Sequence, residues 1–320
     1  MHHISSRRNT PFGVGWYHDF TNANAEGDFD EKMLNRQKIL LHMLQASNGS
    51  VSHFELTKWL FLLGEESPSR GGSSFYQFVP YKYGPYSFSL YHEVGNLTRD
   101  GLVQAKNNRT WSLTDAGKNQ VASLSPQLER EIKSILRKYG GMGFTALLEH
   151  VYHRYPWFTM LSKAVSRWEI SQPIAAPAVY TAGYEGLMVE EFVSRVLRFG
   201  IRRLIDVRNN PTSRRYGFHR STLERICNTL EFEYEHLPHL GIPALQRSKL
   251  SGPIDFETIF ANYERDILLN RSLLIPVVES LNRTPGVLVC LEADPDQCHR
   301  SRLARIVSSI AGLPVIHIGE

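Results

Sequence analysis

The spacing of apolar residues divides the chain into two parts near residue 178. In the first part, apolar positions recur every three to four residues, which is typical of amphipathic helices. Ser52 and Glu55, three residues apart, have the pattern of a capping box at a helix start, and Gly64 is expected to end that helix. We predict helical stretches at 31–45, 52–63, 87–100 and 118–169, the last broken at Gly140 and Gly141.

A short hairpin follows the third predicted helix. Residues 102–106 and 110–114 read as two strands joined by an Asn-Asn-Arg turn at 107–109. Helices followed by a short hairpin is the order of elements in a winged helix. We therefore expect a mostly helical, winged-helix-like N-terminal domain.

From residue 178 onward, short apolar strands alternate with helical patterns. We predict strands at 178–181, 201–207, 232–236, 286–291 and 314–318. Helices are predicted within 183–199 and at 221–230, 255–281 and 298–311. This alternation is typical of a parallel sheet with helices on both faces, so the fold class is α/β with a Rossmann-like C-terminal domain.

A linker is predicted between the two parts. The sequence QPIAAP at 172–177 has neither periodicity and carries two prolines, which indicates a domain break. The predicted divisions are an irregular arm at 1–30, a winged-helix-like domain at 31–117, a helical extension at 118–171 and an α/β domain at 178–320.

Composition narrows the class of protein. The chain has 320 residues, of which 42% are hydrophobic, enough for two ordinary cores. It contains neither an apolar run of ~18 residues nor a secretory signal, so no membrane partner is expected. Three cysteines do not make a disulfide framework and favour a reducing, cytoplasmic setting.

Positive charge is concentrated in one segment. Seven arginines lie between Arg202 and Arg225, against Asp206 and Glu224, which gives +5 there in a chain whose total is +4. Aromatic residues are interleaved with them, and arginines with aromatics can pair with phosphates and stack on bases. We expect a nucleic-acid partner, DNA rather than RNA; the alternative is a solvated loop and helix face.

Side chains that could take part in catalysis or ligand binding follow the predicted strands. Parallel strands place their carboxyl ends at one edge of the sheet, where ligands bind. The candidates are Tyr184, Asp206, Arg208, Asn209, His236, Glu292, Cys298, His299 and Arg300. We predict that Tyr184, Asp206, Arg208, His236, Glu292 and Cys298 line one cleft. The alternative is that Asp206 and Arg208 merely satisfy one another and nearby amides.

Roles can be assigned by residue type. Glu292 or Asp206 would be a general base or electrostatic stabiliser, and His236 would relay a proton. Tyr184 would position or stack the substrate. Phosphate or nucleic-acid contacts are predicted for Arg208, Arg214, Arg215, Arg300, Asn209 and His299.

Cys298 is the candidate nucleophile. At a helix start beside His299 and Arg300 its thiol is expected to have a lowered pKa; the alternative is a small residue that packs the helix start or occupies its N-cap position. Cys290 and Cys227 are expected to be inert core residues. A zinc site built from Cys290, Cys298, His299 and a further histidine lacks the standard ligand spacing, so no metal ligands are assigned and no cofactor is expected.

Four motifs of the second part match a known family in order. They are YTAGYEG at 180–186, LIDVRNNP at 204–211 with SRRY at 213–216, YEHLPHLG at 234–241, and CLEAD at 290–294 with CHRS at 298–301. This part resembles domain-of-unknown-function family 488. The resemblance implies a fold rather than an activity.

Two further resemblances are weaker. YKYGPYS at 81–87 with LTRDGLV at 97–103 is similar to winged-helix domains found near toxin–antitoxin and defence functions. The segment 204–208 is similar to a rhodanese strand. However, carboxylates follow Cys290, and Asp296 stands where a Cys-x5-Arg phosphatase loop needs arginine. Rhodanese and phosphatase chemistry are therefore both disfavoured, unless Cys298 has replaced Cys290 in the role.

These observations predict a DNA-binding enzyme of hydrolase type, glycosylase- or nuclease-like, that acts on a nucleotide or on a modified or damaged base. DNA repair and defence against foreign DNA are both open. The alternative is a non-catalytic winged-helix regulator whose α/β domain senses a small ligand.

Overall fold

The computed structural model describes residues 33–47, 49–107, 109–163, 171–243 and 253–319. The predicted arm at 1–30 lies outside the described residues. Two compact units are present: Met1–Tyr76 with Leu90–Leu147, and Gln77–Ser89 with Leu148–Glu320. Within the described residues, every helix is too short or too polar to cross a membrane.

The described residues between 33 and 163 are mostly helical. Its helices are α1 (Asn35–Ala46), α2 (His53–Glu66), α3 (Phe88–Arg99), α4 (Asp115–Asn119), α5 (Pro126–Tyr139) and α6 (Phe144–Arg154). Its strands are β1 (Val51–Ser52), β2 (Val79–Tyr81), β3 (Gly84–Tyr86), β4 (Val103–Lys106) and β5 (Thr110–Leu113). Strands β4 and β5 form the predicted hairpin, and β1 extends it into a three-stranded antiparallel sheet in the order β1-β5-β4. The winged-helix resemblance stays a prediction.

The start of α2 shows how local sequence determines an element. Ser52 Oγ accepts a hydrogen bond from Glu55 N at 3.1 Å, and Ser52 N donates to Glu55 Oε2 at 3.2 Å, so the predicted capping box is confirmed. The predicted stop at Gly64 is wrong, because α2 continues to Glu66. Residues 58–63 of this helix are all buried, and that packing outweighs the helix-weakening tendency of one glycine.

The second unit contains the predicted parallel sheet. Its strands are β6 (Val179–Gly183), β7 (Arg203–Asp206), β8 (Glu233–His236), β9 (Val287–Cys290) and β10 (Val315–Ile318), in the order β10-β6-β9-β7-β8. All four neighbouring pairs are parallel. The α/β fold class and the five predicted strands are therefore confirmed. Residues 171–177, which include the predicted linker, form neither helix nor strand.

Helices cover both faces of this sheet. They are α7 (Val189–Arg198), α8 (Arg220–Thr229), α9 (Pro253–Leu269), α10 (Ile275–Arg283) and α11 (His299–Ala311). Residues of α7 and α8 form one core cluster with the sheet, and residues of α9, α10 and α11 form the other. Successive side chains of a strand point to opposite faces of the sheet, so Leu204 lies in the first core cluster and Ile205 in the second.

The strand order places a topological switch point in the middle of the sheet. The connections that leave β6 and β7 pass along the α7–α8 face, whereas the connection that leaves β9 passes along the opposite face. Strand β9 lies between β6 and β7. Loops therefore diverge at the carboxyl ends of these three strands, which is where open parallel sheets bind ligands.

Candidate functional site

The three central strands end close together at Gly183, Asp206 and Cys290. Residues Gly183 and Cys290 are register partners of β6 and β9. A Cβ atom at position 183 would collide with the carbonyl oxygen of Glu292, so only glycine lets the loop after β9 approach β6 this closely. The sequence thus brings the candidate residues of different strands to one edge.

An ion pair lies at the end of β7. Arg208 Nε donates to Asp206 Oδ1 at 2.8 Å, and Nη2 donates to Oδ2 at 2.6 Å, so the pair is bidentate. The side chains of Asp206 and Arg208 are 0% and 4% exposed. Burial by itself would lower the pKa of Arg208, but the Asp206 carboxylate outweighs it and the net shift is upward.

Two tyrosines complete this group. Arg208 Nη1 donates to Tyr184 Oη at 2.7 Å and to the Phe218 carbonyl at 2.9 Å, while Tyr234 Oη donates to Asp206 Oδ2 at 2.7 Å. The Tyr184 ring stacks on Phe218, with centroids 4.1 Å apart and planes within 9°. We call Asp206, Arg208, Tyr184 and Tyr234 the Asp206 cluster. Its charges are satisfied internally, as the structural alternative predicted for Asp206 and Arg208.

Residues His236 and Asn209 hold the neighbouring loops. His236 Nε2 lies 2.9 Å from the Arg208 carbonyl oxygen, and Asn209 Nδ2 donates to the Pro238 carbonyl at 3.0 Å. A carbonyl oxygen only accepts, so Nε2–H of His236 is the donor of this hydrogen bond. His236 is half-buried, and its predicted relay role stays a prediction.

A second group of reactive side chains surrounds the end of β9. Cys290 Sγ and Cys298 Sγ lie 3.1 and 2.9 Å from Glu292 Oε2, and both thiols donate to it. The same sulfur atoms lie 3.7 and 4.0 Å from His299 Nδ1. We call Cys290, Glu292, Cys298 and His299 the thiol cluster. Glu292 is half-buried, whereas the other three are buried.

Contacts on the side of the His299 ring away from the sulfur atoms fix its orientation. Its Nε2 lies 3.2 Å from the Val207 carbonyl oxygen, and the Tyr263 ring packs edge-on against the imidazole at a centroid distance of 5.4 Å. Because the carbonyl only accepts, Nε2–H is the donor of this hydrogen bond, and Nδ1 faces the two sulfur atoms. His299 is 2% exposed, and its predicted phosphate contact stays a prediction.

The expected lowering of the Cys298 pKa is wrong. Cys298 lies at a helix start, as predicted, where it is the N-cap residue of α11, but its side chain is 1% exposed. Burial raises its pKa, and the neighbouring Cys290 adds to this, whereas the favourable effect of His299 is smaller. Desolvation of a thiolate therefore outweighs the helix start. Cys290 is also more than an inert core residue, since its sulfur contacts Glu292 and His299.

The candidate arginines are placed in two different ways. Arg300 is 1% exposed and its guanidinium donates to the carbonyls of Glu292 and Ala293, which fixes the loop between β9 and α11. In contrast, Arg214 and Arg215 are exposed on the loop between β7 and α8. Arg215 Nη1 donates to the Leu187 carbonyl at 2.7 Å. The phosphate contacts predicted for these residues stay predictions.

The six residues predicted to share a cleft fall into two separate groups, each joined by its own hydrogen bonds. Hydrogen bonds join Tyr184, Asp206, Arg208 and His236, whereas Glu292 and Cys298 belong to the thiol cluster. Sequence reasoning missed Tyr234 and Phe218. Tyr234 could have been found from the period-two pleat, because it lies two positions before His236 and so points to the same face.

Most residues of this edge lie in a region that matches a known family. Residues 188–307 match the family model described as Domain of unknown function DUF488. The C-terminal half resembles the DUF488 family. The matched region runs from the residue before α7 to within α11 and contains the whole thiol cluster, together with Asp206, Arg208 and Tyr234. No curated protein matches the chain.

Proposed function

We propose that the unit containing the DUF488 region is a hydrolase-type enzyme that acts on a nucleotide or on a modified or damaged base of DNA. The observation that carries the proposal is the loop between β7 and α8. This loop begins at the end of β7, beside Asp206 and Arg208 at the switch point, and then exposes Arg214 and Arg215; Arg220, the first residue of α8, is exposed as well. One loop thus joins the candidate site to a cationic surface suited to phosphates.

The Glu292 carboxylate supports a hydrolytic role. It is half-buried at the carboxyl end of β9, and one of its oxygens already accepts from two thiols. A carboxylate held in such a partly dry place can accept a proton from an attacking water. A base-excision or end-processing role in DNA repair, or in defence against foreign DNA, would use these parts.

The test is turnover of labelled DNA oligonucleotides by the full chain, with intact, mismatched and base-modified duplexes and divalent cations present. Glu292→Gln should lower the rate by about 100-fold or more, the range that general-base catalysis contributes. The matched control is Glu279→Gln, which removes an exposed carboxylate of α10 and should leave the rate unchanged. Equal rates for Glu292→Gln and the wild type would contradict the proposed role.

A second candidate is a non-catalytic DNA-binding regulator whose α/β unit senses a small ligand. It is supported by the Asp206 cluster, in which the charged groups are buried and satisfied by one another rather than directed at a substrate. DNA binding without turnover of any of these oligonucleotides would favour the regulator.

A further inference from the structure

We propose that Cys290, Cys298 and His299 form a binding site for a thiophilic divalent metal ion, with zinc as the ion that fits best. The three side chains come from the last residue of β9 and the first turn of α11, with its N-cap. Their potential ligand atoms, two sulfurs and Nδ1, all lie within 4.8 Å of one another. The three residues are buried.

The spacing of these atoms is that of a coordination shell. Zinc–sulfur bonds of about 2.3 Å and zinc–nitrogen bonds of about 2.05 Å at tetrahedral angles separate sulfur from nitrogen by about 3.6 Å. The two sulfur–Nδ1 distances here are 3.7 and 4.0 Å. An ion could enter with side-chain adjustments of a few tenths of an ångström.

The orientation of the His299 ring is the one that a metal needs. Its Nε2–H points to the Val207 carbonyl, which leaves Nδ1 as the ring nitrogen directed at the two sulfurs. Metal-binding histidines commonly donate their second ring N–H to a backbone carbonyl or a carboxylate, which fixes the ring. Two thiolates with one imidazole select zinc over magnesium or calcium, which prefer oxygen ligands. The start of α11 also favours the negative charge of bound thiolates.

Three protein ligands leave one position of a tetrahedral ion open, as in catalytic zinc sites. Glu292 lies beside both sulfurs and is the half-buried member of the cluster, so the open position faces its carboxylate. A water on the ion could give its proton to Glu292, and the hydroxide would stay on the metal. This last step rests on the proposed function, whereas the metal site does not.

Metal content tests the site without any assay of activity. The full chain, purified under reducing conditions from zinc-supplemented medium, should contain about one zinc ion per chain by elemental analysis. Cobalt(II) added to the demetallated protein should give the intense sulfur-to-metal absorption of a tetrahedral thiolate site. Because this spectrum is measured on the wild type, it tests the site even if a variant fails to fold.

Variants then assign the ligands. Cys290→Ser and Cys298→Ser should each weaken zinc affinity by more than about 100-fold, the upper end of what loss of an outer-shell partner costs. Cys227→Ser is the matched control, since Cys227 is also a buried free cysteine but lies in α8, and it should retain the metal. The proposal is overturned if the wild type gives neither zinc nor a cobalt–thiolate spectrum, or if mass spectrometry finds Cys290 and Cys298 joined in a metal-free disulfide. Retention of full zinc affinity by folded Cys290→Ser would overturn the ligand assignment. Zinc binding without DNA turnover would reject only the proposed function.

Discussion

Asp206 and Cys290 end neighbouring strands of the parallel sheet, yet their side chains lie on opposite faces. Asp206 is the register partner of Val289, the residue before Cys290, and successive side chains of a strand alternate between faces. Asp206 therefore joins Arg208 and two tyrosines on the α7–α8 side, whereas Cys290 joins Cys298 and His299 beside α11. The two clusters can be perturbed separately.

The buried ion pair makes a specific prediction for stability. Asp206→Asn leaves the Arg208 guanidinium buried without its counter-ion, so the free energy of unfolding should fall by about 3–5 kcal/mol. Denaturant unfolding measures this. The control is Glu233→Gln, which breaks the Arg203–Glu233 pair, whose acid is 63% exposed, and should cost at most about 1 kcal/mol. Equal losses in the two variants would show that the Asp206 pair contributes no more than a surface pair.

Tyr234 supports the same carboxylate. Its hydroxyl donates to Asp206 Oδ2, and Tyr234→Phe removes that donor without changing the ring. Loss of a hydrogen bond to a buried charged group should lower the free energy of unfolding by about 1.5–3 kcal/mol. A loss below about 0.5 kcal/mol in the same unfolding measurement would contradict the contact as described.

The buried Lys58 should make the stability of the first unit depend on pH. Its side chain is buried, with Nζ 4.8 Å from the Phe54 ring centroid, and burial lowers its pKa from 10.5 to about 7. Between these values the unfolded chain binds more protons than the folded one. The contribution of Lys58 to stability should therefore improve as pH rises from about 7 to 10.5 and be least favourable below 7.

A methionine at position 58 should remove that pH dependence. Lys58→Met should raise the free energy of unfolding at pH 7 by up to about 5 kcal/mol, since each pKa unit corresponds to about 1.36 kcal/mol. Lys133→Met, an exposed position of α5, is the control and should change little. Parallel stability–pH curves for the wild type and Lys58→Met would refute the assignment.

Local patterns predicted most helices and the hairpin and parallel strands, but not the short strands β1, β2 and β3. The capping box at Ser52 and Glu55 and the five parallel strands follow from residues close together in sequence, and the structure has them. The stop at Gly64 was wrong because burial of α2 outweighs local propensity. Propensity is a weak influence wherever tertiary packing is extensive.

The candidate site was only partly predictable for a physical reason. Parallel strands have their carboxyl ends at one edge of the sheet, and this rule correctly predicted that edge as the location of the candidate residues. Which cluster a residue joins also depends on the face of the sheet to which its side chain points. Seven residues separate Cys290 from Cys298 in the sequence, and this spacing argued against a metal site. The two cysteines come together only in the folded chain, where the end of β9 meets the start of α11. The raised pKa of Cys298 likewise depends on burial, which the helix-start argument omitted.

We propose that the strand edge of the region that matches DUF488 faces nucleic acid through the exposed arginines of the loop between β7 and α8. The most direct test is the salt dependence of DNA-oligonucleotide affinity, measured by fluorescence anisotropy on the full chain. Arg214→Ala with Arg215→Ala should weaken binding and reduce the slope of log affinity against log salt by about 1–2. Arg265→Ala with Arg271→Ala, which removes the same charge from exposed positions on the opposite face of the sheet, should leave the slope unchanged. A slope unaltered by the loss of Arg214 and Arg215 would contradict the claim.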